Sequence, residues 1–111
     1  MSDCELLERA AKAAGYEIER YSEKHGSLFA IVDGVSMWWD PLTNDGEALR
    51  LAVKLGIRIT NNQSDAWATT PDAIAIEPLT NDLYAATRRA IVRAAAKIGK
   101  QIKGGHARSK Q

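Results

Sequence analysis

The chain has 111 residues, 45% of them hydrophobic and 26% charged, with a formal net charge of +1; this is the size and composition of one globular domain with a core of its own. A single cysteine, Cys4, excludes an internal disulfide and fits a reducing compartment. The longest apolar runs fall far short of the roughly 20 residues a membrane helix needs, and no basic segment followed by an apolar stretch opens the sequence, so a cytoplasmic protein without membrane contact is expected.

The first predicted element is an amphipathic helix over residues 3–14. Ser2 or Asp3 can cap it, Glu5 and Glu8 favour its positive end, and Gly15 is placed to end it. Leu6, Leu7, Ala10, Ala11 and Ala14 recur at helical spacing along one face. Three strands are expected next: a charged edge strand over 16–21, an apolar strand over 28–32, and a third over 35–39. Asp33-Gly34 between the last two is a two-residue hairpin signal.

A second helix is expected over 45–55, capped by Thr43 or Asn44, with Glu47 three residues beyond Asn44 as in a capping box. Ala48, Leu49, Leu51, Ala52 and Leu55 are its expected buried face. Short strands over 57–60 and 73–77 follow, with the Asn- and Asp-rich stretch between them read as turns and loop. The last and longest helix runs from 81 or 82 to 98, or on to 102, with Leu83, Ala86, Ala90, Ile91, Ala94, Ala95 and Ile98 as its apolar stripe. Residues 1–102 therefore form one α+β domain: a small antiparallel sheet packed with about three helices. Residues 103–111 read as a disordered basic tail with almost nothing apolar to bury.

Pro41-Leu42-Thr43-Asn44-Asp45 recurs as Pro78-Leu79-Thr80-Asn81-Asp82. Shared chemistry accounts for it, because Pro ends a strand while Thr or Asn caps a helix and Asp suits its first turn. An internal ββα duplication is the alternative.

The charge is unevenly spread. From Asp82 onward eight bases face one acid, whereas residues 1–81 hold seven bases and thirteen acids. Arg89, Arg93 and Lys97 lie four apart on the last helix with Arg88 and Lys100 beside them, a basic face that could meet phosphates. Solvated helix charge explains the same pattern. Trp38 and Trp39 are adjacent, so on a strand they point to opposite faces. One joins the core; the other meets solvent, a covering helix or a partner, where tryptophan is a favoured anchor. Trp67, in a polar stretch, is a further anchor candidate.

No cofactor or metal site is expected. His25 and His106 have no companions at ligand spacing, and Cys4 stands among acids that oppose a thiolate. Asp40, Asp45 and Glu47 cluster near the tryptophans and could serve an acid–base pair, but Asp45 and Glu47 already have a role at a helix start. No Gly-rich phosphate loop is present.

Residues 38–56, from Trp38-Trp39-Asp40-Pro41-Leu42-Thr43 through Ala48-Leu49-Arg50-Leu51-Ala52-Val53-Lys54-Leu55-Gly56, resemble small uncharacterised accessory proteins of tailed bacteriophages and prophages. The opening helix at Leu6 to Gly15 and the Tyr84 to Ala96 stretch are similar to theirs as well. The resemblance implies no chemistry and carries over no functional residue. It implies a phage protein that works by binding, an inhibitor of an anti-phage defence such as a CRISPR complex among the options. The expectation is thus a non-catalytic protein that binds a host or phage macromolecule, with Trp38, Trp39 and Trp67 as anchors. The alternative is a small nucleic-acid-binding protein using Arg88, Arg89, Arg93, Lys97 and Lys100 with the tail. A small enzyme centred on Asp40 stands third.

Overall fold

The computed structural model describes residues 2–102; the expected basic tail, 103–111, lies outside the described residues. The order of elements is α1 (Asp3–Ala14), β1 (Glu17–Ser22), β2 (Ser27–Val32), β3 (Val35–Trp39), α2 (Asp45–Leu55), β4 (Arg58–Asn61), β5 (Asp65–Thr70), β6 (Ala73–Pro78) and α3 (Leu83–Gln101).

The helix ends follow from their capping residues. Ser2 and Glu5 form a reciprocal capping box at α1. Asn44 and Asp82 each accept one backbone N–H at the starts of α2 and α3. Gly15 and Gly56 take left-handed conformations at φ 80° and 68°. Each lets the chain turn back so that the next N–H, of Tyr16 or Ile57, reaches the carbonyl of Ala11 or Ala52 at 2.9 and 2.8 Å.

The α+β class holds, but the strands form two antiparallel sheets rather than one, in the orders β1-β2-β3 and β4-β5-β6. The difference lies at Asp65–Thr70, expected as loop, which is the central strand of the second sheet. Its inward residues are Ala66 and Ala68, both fully buried, so neither a β-branched run nor a bulky alternation marks it. Each meander is followed by the Pro-Leu-Thr-Asn-Asp sequence and a helix. The unit that recurs is βββα, not ββα.

Packing runs from the first sheet to α1, from α1 to α3, and from α3 to the second sheet, with α2 against α3. The helices thus lie between the sheets, and each sheet turns one face outward. Trp39, Leu7, Leu28, Leu51 and Val92 are the large, fully buried side chains of the core. Both α1 and α3 bury small residues, Ala10, Ala11 and Ala14 on one and Ala94, Ala95, Ala96 and Gly99 on the other. At Gly99 a Cβ would stand 1.9 Å from the Arg9 carbonyl oxygen. Leu49 and Leu83, expected in the core, are more than half exposed: α3 meets α2 on the Ala48–Leu51–Ala52 side, and Leu83 sits in the first turn of α3.

Candidate binding surfaces

The two sheets present matching cross-strand rows on their outer faces. In the first, Arg20, Phe29 and Trp38 are register partners across β1, β2 and β3. In the second, Thr60, Trp67 and Ile76 are register partners across β4, β5 and β6. Counted from the hairpin turns, Phe29 corresponds to Trp67 and Trp38 to Ile76.

The first row is the more developed. Trp38 is 38% exposed. Its ring meets Phe29 edge-on at 5.0 Å between centroids and lies under the His25 ring at 4.6 Å and 31°. The Arg20 guanidinium stands over both aromatic faces, 5.0 Å from Phe29 and 5.3 Å from Trp38. His25 is held in the β1–β2 turn by Ser22, whose Oγ lies 2.9 Å from Nδ1 and accepts the His25 backbone N–H. A register shift between Ile18 and Arg20 brings Arg20 opposite Phe29. Sequence reading had Trp38 as an anchor but not Arg20, His25 or Phe29; only the strand register joins them.

The other two tryptophans differ. Trp39 is 1% exposed and packs edge-on against Tyr16 at 5.4 Å, so it is a core residue and not an anchor. Trp67 is on β5 and not in a loop; it is half-buried, and its Nε1 is buried without a hydrogen-bond partner among the described residues.

The basic face of α3 is largely engaged within the protein. Arg88 donates to the Leu42 carbonyl at 2.8 Å and to Asp45 at 2.6 Å, joining α3 to the start of α2. Arg89 pairs with Asp3 at 3.1 Å. Arg93 donates to Glu77 and to the Ile76 carbonyl, Lys97 to the Ile74 carbonyl, and Gln101 to the Asp72 carbonyl. These three helical donors are four residues apart, a rise of about 6 Å each. The carbonyls are two residues apart, Ile74 and Ile76 on β6 and Asp72 in the turn just before it, a step of about 6.7 Å in extended chain. The near-match lets one helix lace the outer edge of the sheet. Lys100 makes no such contact among the described residues and is exposed.

The carboxylates near the tryptophans hold local structure. Asp40 accepts from the Leu42 N–H and the Thr43 hydroxyl, at 3.1 and 2.7 Å. Asp45 receives Arg88, and Glu47 lies 3.7 Å from Arg50. Cys4 is half-buried, and burial with the neighbouring Glu8 pushes its thiol pKa up, away from a reactive thiolate. No group of three His, Cys, Asp or Glu side chains that could hold a metal is found among the described residues. No described helix is long and apolar enough to cross a membrane.

These features define an α+β domain with an ordered aromatic surface on one sheet. Compared with family models, curated proteins and solved structures, the chain finds no match.

Proposed function

We propose that this chain is a non-catalytic binding module that docks a protein partner on the outer face of its first sheet. The observation that carries the reading is the Arg20–Phe29–Trp38 row with His25 stacked on it. Aromatic and arginine side chains concentrate interface energy, and here they are already held by one another, so a partner would immobilise little that is free. The surroundings favour protein over nucleic acid: residues 16–40 hold five carboxylates and two cations besides His25, which phosphates would avoid and a basic rim would fit. Arg88, Arg89, Arg93 and Lys97 already donate to partners within the protein. The resemblance to tailed-phage accessory proteins extends the proposal to a host or phage complex in the bacterial cytoplasm, an anti-phage defence assembly among them.

The test is site-specific photo-crosslinking from Ser36, an exposed residue of β3, in a bacterial host. A discrete crosslinked protein is expected, lost in Trp38→Ala and retained in Lys100→Glu. Retention in Trp38→Ala, or loss on nuclease treatment, would overturn the reading.

A further inference from the structure

A second surface, independent of the aromatic row, lies where α1, α3 and β6 meet. They enclose a cleft of about 470 Å³, within the size range of small-molecule sites. Arg9, Arg89, Arg93, Lys97 and Lys100 line it against a single carboxylate, Glu77, while Leu6 and Ala96 supply an apolar wall. We propose that this cleft is a binding site for linked phosphate groups.

The charge argues for an anion, and the donors argue for phosphate. Arg89 directs one nitrogen at Asp3, and Arg93 directs one at Glu77 and Ile76, although a guanidinium carries five N–H donors and an ammonium three. Asp3 is 55% exposed in its pair with Arg89, and such exposed pairs are weak enough for a ligand to displace. Arginine matches phosphate oxygens in pairs. From Arg89 to Lys100 the cations extend about 16 Å along α3. A single phosphate spans less of that length than linked phosphates do. A chain of phosphates can engage several at once, whether it belongs to a small polyphosphate or to a nucleic-acid backbone.

The test is a titration of the full chain with tripolyphosphate at constant moderate salt, followed through backbone amide resonances. Saturable shifts are expected at Leu6 and Ala96. Lys100→Glu should weaken binding at least about tenfold, the loss expected when one charge-assisted bond becomes a repulsion. Lys12→Glu, an exposed α1 residue outside the cleft with the same change in net charge, should change it less than about twofold. A short single-stranded oligonucleotide that competes for the same amides would identify a nucleic-acid backbone as the source; failure to compete would identify a small polyphosphate. Absence of saturable shifts at Leu6 and Ala96, or equal weakening by Lys12→Glu and Lys100→Glu, would overturn the proposal.

Discussion

Two glycines in helices show how contact distance decides the sign of a substitution. Helix propensity alone predicts that Gly→Ala stabilises by about 1 kcal/mol. At Gly46 an added Cβ meets only the Asn44 and Arg50 side chains, at 3.3 and 3.4 Å, which can shift, so Gly46→Ala should be neutral or stabilising. At Gly99 it would meet a backbone oxygen at 1.9 Å and force α1 from α3. Gly99→Ala should therefore cost about 1–3 kcal/mol in urea denaturation, as overpacked cores do. A Gly99→Ala protein as stable as its parent would mean that α1 and α3 do not approach as described. A second residue-scale prediction concerns alkali. Burial pushes the Tyr16 hydroxyl above its usual pKa of 10.0, and the hydrogen bond to Asp33 raises Lys54 above 10.5. Both hold their proton more tightly when folded, so the unfolded chain loses protons first as pH rises. Stability should be insensitive to these groups at neutral pH and fall as pH passes 10.0 and then 10.5. Tyr16→Phe should show a shallower alkaline slope in thermal melts at a series of pH values.

Among the elements, β6 depends most on its neighbour. An edge strand exposes unpaired carbonyls that invite another chain; on β6 those of Ile74 and Ile76 accept from Lys97 and Arg93, and that of Asp72, in the turn before it, accepts from Gln101. Lys97→Met keeps the aliphatic stem and removes the donor, and should cost about 1 kcal/mol. Arg93→Ala also leaves Glu77, 17% exposed, without its cation, and should cost about 1–3 kcal/mol. Denaturant titration of both variants checks the order; equal, negligible losses would mean that the lacing adds nothing to stability. The periodicity of α3 and its basic residues were legible in the sequence, and so was their i, i+4 spacing. Their target was not, because it is a backbone feature of a strand brought alongside by the fold. The same limit hid Arg20, Phe29 and His25, which meet Trp38 only through strand register. The helices, by contrast, could be read within a residue or two, since Ser2, Gly15, Asn44, Gly56 and Asp82 mark their ends with local chemistry. β5 escaped because alanines sit where a strand usually signals itself with larger side chains.

At the scale of the whole molecule, the repeated βββα units raise the question of whether the halves are independent. Two duplicated modules with separate cores would unfold separately, in the manner of stacked repeats. Here α1, from the first half, packs against α3 at the far end of the chain, and α3 in turn carries the second sheet. Each sheet is covered by a helix of its own half, α1 on the first and α3 on the second. These two helices bury their other faces on each other, and α2 also packs on α3, so the two halves share one core. The domain should therefore open as one unit. Native-state hydrogen exchange tests this at the central strands: the amides of Leu28 and Ala30 in β2 and of Ala66 and Ala68 in β5 should exchange through the same global opening, with free energies within about 1 kcal/mol of each other. Leu51 supplies the perturbation. It is 1% exposed on α2, and a buried carboxylate without a partner costs several kcal/mol. Leu51→Asp should lower protection in both strands by the same amount, or unfold the chain entirely. Protection that falls in β2 but persists in β5 would show two separable halves, and α3 would then be a helix of the second half that merely rests on α1.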